Sequence, residues 1–300
     1  MFSKLIEKYF WVFLISGMII GVWQPVPFDV PKFVPKFLLV LMMFFLFLKI
    51  DALEILDRIK NYKLMIFIAF IYMFLVPLLF FIPIHYLDHK LALGILLLTA
   101  MPAGISSPAL TDILKGNISF AMSITIVTQL AAPVTIPLLF WLIGSGGLEI
   151  NKLLIFRDII IIVFLPLVLS QVTKKYVPAF VKRGLHLLTS ANIFLLFIFV
   201  YITISSQSST ILQNPLSLVW KTATLYLVFI ILHAIGYIVS YKGNKENKVA
   251  TSVTSAYMNN GLAIVLASAY FGPDIVVLMV LSEIPWITLL APFKRILTYL

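Results

Sequence analysis

The chain has 300 residues, of which 62% are apolar and only 11% charged, and its mean hydropathy is +1.08. Soluble domains run at about 45–50% apolar and about 25% charged, so a soluble enzyme, a soluble binding module and a disordered chain are all excluded. The formal charge is +10, but the basic residues are scattered between apolar runs and make no continuous stripe, so nucleic acid is not a partner.

Cysteine is absent, which removes disulfides, thiolate nucleophiles and Cys-ligated metals from consideration. The first apolar run, 9–24, has no small-residue cleavage site after it and reads as a first span, not as a cleaved signal peptide. A bilayer crossing needs about 20 mostly apolar residues. In chain order, further spans are expected at 33–50, 64–84, 91–114, 118–143, 153–173, 186–206, 217–241, 249–271 and 275–298, ten in all. These are continuous apolar runs without dyad alternation, so helices are expected and not a barrel. With ten spans, sixteen Lys and Arg fall on the side of both termini and six on the other. By the positive-inside rule this predicts a multi-pass protein of the plasma or inner membrane with both termini cytoplasmic. The Ser205–Thr210 stretch reads as an external loop.

Ten spans divide into five and five, and an odd number per half inverts the second half, which gives the inverted-repeat architecture of many transporters. The expected halves are 1–147 and 148–300. The fourth span carries Pro102-Ala-Gly-Ile-Ser-Ser-Pro108, and the ninth carries Thr254-Ser-Ala-Tyr-Met-Asn-Asn-Gly261. Both are small, polar interruptions of apolar runs. A shift of 154 residues also lays Thr128-Gln129 on Ser282-Glu283. Pro108 lacks an N–H and fits the first position of a new half-helix, with Ser106 or Ser107 as its cap. Asn259 and Asn260 beside Gly261 offer the same in the ninth span. Freed backbone groups at membrane depth need protein, water or ligand as partners, and half-helix N-termini favour an anionic group.

At these residues the chain resembles the bile acid:sodium symporter family. Ala100-Met-Pro-Ala-Gly-Ile-Ser-Ser-Pro-Ala-Leu-Thr111, followed by Lys115-Gly-Asn117, is similar to the family's fourth-span signature. Met258-Asn-Asn-Gly-Leu-Ala263 with Phe271-Gly-Pro273 is similar to its ninth-span signature. The resemblance implies a panel of spans 1, 2, 6 and 7 and a core of spans 3–5 and 8–10, in which the broken fourth and ninth helices cross. It implies a small organic anion bound between core and panel, and sodium ions bound behind the crossing. The family's sodium-ligand positions fall on Ser107, Pro108, Ala121, Thr125, Tyr72 and Thr254, where the family has Ser, Asn, Ser, Thr, Gln and Glu. Only Ser107 and Thr125 keep the family's residue, and the carboxylate is replaced by Thr254.

Eleven of the twelve acidic residues lie in loops or near span ends, and Glu283 does not. It sits in Val280-Leu-Ser-Glu-Ile-Pro-Trp286, and an intramembrane carboxylate marks a functional site by default. It reads as a proton-coupling or cation-attracting group, or as a partner of His233 in the eighth span. Thr125 and Gln129 are four apart, hence on one helix face, a face expected to meet the broken helix; Asn192 and Gln171 read as bridges between panel helices. The substrate-binding set is therefore Ile105, Ser106, Ser107, Asn259, Asn260 and Glu283. The ion-coupling set is Ser107, Thr125, Thr128, Gln129, Thr254 and Glu283. No catalytic residue and no cofactor is expected beyond a sodium ion, and the coupling ion is sodium or a proton.

The function expected is a secondary carrier of a small organic anion working by alternating access. A membrane-embedded enzyme fits poorly, since the chain has no His/Asp metal cluster, no Gly-x-Ser-x-Gly elbow and no phosphate-binding loop. An uncoupled carrier, a channel or a non-transporting sensor of the same fold is the alternative.

Overall fold

The computed structural model describes residues 10–31, 33–49, 62–143, 152–213, 215–240 and 242–299. Among these the chain is helical throughout and has no strand, only one isolated antiparallel bridge between Ala103 and Met258. The expected boundary between halves at 147/148, the basic residues 4, 8, 32, 58 and 60, and the acidic residues 7, 51, 54, 57 and 149 lie outside the described residues.

Helices α1 (Phe10–Trp23) and α2 (Phe33–Leu48) come first. The third apolar run is α3 (Tyr62–Phe70), a π-helical turn (Ile71–Leu75) and α4 (Val76–His85). The fourth is α5 (His89–Thr99) and, after a break, α6 (Ser107–Ile113). Then follow α7 (Ile118–Leu142), α8 (Lys152–Tyr176), α9 (Pro178–Ser205), the short α10 (Ser208–Gln213) and α11 (Pro215–Val239). The ninth run is α12 (Lys245–Ala256) and α13 (Asn260–Tyr270), and the last is α14 (Pro273–Leu281), α15 (Glu283–Thr288) and α16 (Leu290–Ile296).

Among the described residues, five helical stretches are long and apolar enough to cross a membrane: Lys63–His85, Ile118–Leu142, Leu153–Tyr176, Leu187–Ser205 and Leu216–Val239. A sixth is formed if Pro273–Thr288 and Leu290–Ile296, bent by 42°, count as one span. Val12–Trp23, Phe33–Leu48, His89–Thr99 and Asn260–Tyr270 are shorter apolar helices. The Ser205–Thr210 stretch is not simply a loop, because Ser205 ends α9 and Ser208 starts α10. The outer surface fits a lipid environment: Trp23, Leu216, Trp220 and Tyr299 are each more than 70% exposed.

Helix ends follow local chemistry. The Asp88 carboxylate accepts from Leu91 N at the start of α5, and the Asn117 and Asn244 side chains accept from Phe120 N and Asn247 N at the starts of α7 and α12. Each supplies an acceptor to an otherwise orphaned amide. Helix α2 packs on α8 and α9, and α1 on α9; α12 packs on α11, α6 and α7, α14 packs on α5 and α13, and α7 also runs along α8. The close approach of α11 and α12 depends on Gly236, where a Cβ would lie 2.6 Å from the Ser252 Cα and from the Thr251 carbonyl oxygen.

Candidate functional site

The two polar interruptions meet. Gly104 N donates to Tyr257 O at 2.8 Å, Asn259 N donates to Pro102 O at 2.9 Å, and Ser107 Oγ donates to the same Tyr257 carbonyl at 2.7 Å. Each break thus satisfies backbone groups that the other frees, as membrane depth requires. Only glycine fits at 104: a Cβ there would lie 2.9 Å from Tyr257 O and 3.0 Å from Met258 O.

Helix α7 braces this crossing from behind. Gln129 Nε2 donates to Ala103 O at 3.1 Å, and Thr128 Oγ1 accepts from Ala103 N at 3.2 Å while donating to Ile124 O at 2.8 Å. The face carrying Gln129 therefore does meet the broken helix. Thr254 Oγ1 bonds back to Ala250 O at 2.9 Å, and Tyr72, on the π-turn, donates its hydroxyl to Thr251 O at 2.7 Å. Thr125 Oγ1 and Gln129 Oε1 are buried without a partner.

In front of the crossing lies a cavity of about 220 Å³. Five of the residues expected to bind substrate line it: Ile105, Ser106, Asn259, Asn260 and Glu283. Ser107 does not; it is fully buried and spent on the Tyr257 carbonyl. The α6 N-cap is Ser106, whose side chain makes no capping bond, whereas Asn259 caps α13 by accepting from Leu262 N at 3.1 Å. The Asn259 amide also reaches Met43 Sδ at 3.7 Å. Asn260 Nδ2 donates to Ser282 Oγ at 3.0 Å and lies within reach of the Glu283 carboxyl, and its Oδ1 is buried without a partner. The ion-coupling set is thereby split: Thr125, Thr128, Gln129 and Thr254 sit with Ser107 behind the crossing, and Glu283 sits in front of it.

The opposite wall comes from α2 and α9 and is largely apolar, with Leu39, Met42, Met43 and Leu196. Sequence reasoning missed two polar groups here. Lys49, counted only as an orientation signal, lines the cavity mouth and donates to Thr189 Oγ1. Asn192, expected as a bridge, does donate to Met42 O at 3.3 Å, but it also lines the cavity with a buried, unpartnered Oδ1. Their common signal is a polar side chain within an apolar run, which gives no direction until helix rotation is known. The expected pairing of His233 with Glu283 is absent. His233 Nδ1 meets Phe229 O at 2.7 Å on its own helix, and its ring packs at 4.4 Å from Phe293 and 5.3 Å from Tyr257.

An all-helical apolar chain with paired, hydrogen-bonded helix breaks beside a cavity can be set against known proteins. Residues 8–286 match the SBF-like CPA transporter family. The chain belongs to this family. The resemblance to bile acid:sodium symporters therefore holds over most of the chain, and the protein is a transporter family member, not an enzyme. It is 25% identical over 194 residues to an uncharacterized sodium-dependent transporter, YocS, of Bacillus subtilis, covering 63% of this chain and 58% of that relative. It is 27% identical over 185 residues to a probable chloroplastic sodium/metabolite cotransporter, BASS4, of Arabidopsis thaliana, covering 56% and 42%. It is 23% identical over 205 residues to the corresponding BASS1 protein of Oryza sativa, covering 66% and 48%. The chain spans about half the length of the curated relatives it matches.

The family's sodium positions can be tested against these side chains. Pro108 and Ala121 offer no side-chain oxygen, and no carboxylate stands among the six positions. Ser107, Tyr72 and Thr254 donate to backbone carbonyls and keep their oxygen lone pairs. The set therefore lacks two of the family's side-chain oxygens and its carboxylate charge; Thr125 Oγ1 and Gln129 Oε1 on α7 are buried without a partner.

Proposed function

We propose that the chain is a secondary carrier that moves a small organic anion by alternating access, with ten spans in two inverted five-helix halves, 1–147 and 148–300. In this reading a core of spans 3–5 and 8–10 shifts against a panel of spans 1, 2, 6 and 7, and both termini are cytoplasmic. The observation that carries the reading is the cavity between the α2–α9 wall and the paired breaks, where Ser106, Asn259, Asn260 and Glu283 converge. Such a concave, mostly apolar site with a few polar groups is the usual form of a small-molecule site. Helix α13 begins at its edge, and the partial positive charge of a helix start favours an anion.

Glu283 sets the coupling. It is 4% exposed, and an anion seated beside an ionised carboxylate in low dielectric is strongly repelled. The cargo must therefore travel with a cation, which in this reading is a proton carried on the Glu283 carboxyl. Sodium is the second reading, favoured by the unpartnered Thr125 and Gln129 oxygens and by the sodium dependence named for the relatives. The deciding test is binding of a panel of radiolabelled small carboxylates to purified protein and to the Asn259→Ala and Ser106→Ala variants. Loss of binding in both supports the site; unchanged binding in both removes it.

A further inference from the structure

A second, larger cavity of about 540 Å³ lies at the opposite end of the same α2–α9 wall. It is lined by Lys36 near the start of α2, Asp158 on α8, Ser206 and Gln207 past the end of α9, and Ser268 on α13. Its charges form a tight cluster. Lys36 Nζ is 2.8 Å from Asp158 Oδ1, Arg157 Nη2 is 3.3 Å from the same oxygen, and Tyr270 donates its hydroxyl to Asp158 Oδ2 at 2.9 Å. Lys36 and Asp158 line the cavity, and Arg157, mostly exposed and outside the lining, is a second cation on the same carboxylate, so the cluster as a whole carries a net positive charge. Lys36 is half-buried and Asp158 nearly buried, with side-chain exposures of 26% and 11%, so water screens them incompletely.

The cluster is also a joint. Lys36 and Asp158 sit on α2 and α8, and Tyr270 ends α13, the helix that starts at the paired breaks. Helix α2 thus carries a lysine at each end of its run, Lys36 at the second cavity and Lys49 at the mouth of the first. At 1.5 Å per residue they stand about 20 Å apart, with Leu39, Met42, Met43 and Leu46 between them.

We propose that the second cavity is a separate anion-binding station with Lys36 as its receiving residue. Asp158 is the resident counter-ion of Lys36, and an incoming carboxylate or sulfonate exchanges with it on the ammonium. The displaced Asp158 keeps Arg157 on Oδ1 and Tyr270 on Oδ2. The station is distinct from the cavity at the breaks, and its charge preference holds or fails whatever that cavity binds.

The absence of native cysteine makes a direct test clean. A single reporter, Ser268→Cys, is placed in the second cavity, and its modification rates are compared for two methanethiosulfonate reagents of similar size, one bearing a sulfonate and one a quaternary ammonium. The expected sulfonate-to-ammonium rate ratio exceeds that of a small free thiol. Lys36→Gln lowers it by about tenfold, because loss of one unit charge at a separation on the order of 6 Å in near-aqueous dielectric slows the anionic reagent and speeds the cationic one by about threefold each. Lys36→Arg restores it, and Asp158→Asn raises it. A ratio unmoved by Lys36→Gln in protein that elutes like the parent overturns the proposal, as does a preference for the ammonium reagent. Failure of both reagents to reach the cysteine also overturns it, because a sealed cavity receives no anion.

Discussion

Replacing Gly104 by alanine tests whether the crossing is a fixed joint. The new methyl would stand 2.9 Å from Tyr257 O and 3.0 Å from Met258 O, both backbone atoms, where ordinary contact begins near 3.4 Å. The breaks would have to separate by about 0.5 Å. That stretches the Gly104 N to Tyr257 O bond, now 2.8 Å, and disturbs the Asn259 N to Pro102 O bond at 2.9 Å and the Ser107 Oγ to Tyr257 O bond at 2.7 Å. Leaving buried polar groups poorly paired costs about 1–3 kcal/mol each, so a loss of about 2–4 kcal/mol is expected, equivalent to about 5–15 °C in unfolding temperature for a domain of this size. Intrinsic fluorescence during heating of the detergent-solubilised protein measures it, since the chain has five tryptophans. The control is Gly184→Ala on α9, where a Cβ meets nothing within 4 Å and a helical alanine is neutral or stabilising. Equal unfolding temperatures for the two variants would refute the view that the breaks are locked to each other.

Gly236→Ala pushes α12 off α11 through two backbone contacts at 2.6 Å and should destabilise at least as much as Gly104→Ala in the same heating assay. Tyr72→Phe removes a buried hydroxyl bonded to Thr251 O at 2.7 Å, a carbonyl that also accepts from Thr254 Oγ1 at 3.2 Å, for an expected loss of about 1 kcal/mol, read from the same unfolding curves. Asn117→Ala deletes both the α7 cap and a 2.8 Å bond to Asn247 Oδ1; about 1–2 kcal/mol is expected, and hydrogen exchange should rise at the starts of α7 and α12, while unchanged exchange there would count against the bond.

The sequence exposed the breaks because proline, glycine and asparagine punctuate an apolar run whatever the tertiary context. Pro108 and Gly261 sit in the first turns of the helices that restart after the breaks; the crossing of the two was an implication of the resemblance to bile acid:sodium symporters, and the Ala103–Met258 bridge makes it concrete. The brace by Gln129 was equally legible, since positions four apart share a face. Partners across helices were less so. His233 and Glu283 are both mid-span polar groups, and hydropathy carries no information on rotation; α11 turns His233 toward Phe293 and Tyr257 instead. Lys49 and Asn192 were hidden by the same ambiguity, because a lysine near a span end reads as an anchor until its cavity is seen. The π-turn at Ile71–Leu75 left no mark in a uniformly apolar stretch.

The central claim is that cargo and coupling cation meet at the crossing through Glu283. It is tested most directly by uptake of a bound radiolabelled carboxylate into proteoliposomes under separately imposed proton and sodium gradients, with wild type and Glu283→Gln side by side. The account predicts that an inward proton gradient accelerates wild-type uptake, and that Glu283→Gln still binds the carboxylate but moves it at a rate independent of that gradient. Gradient-driven uptake that survives Glu283→Gln unchanged would contradict it.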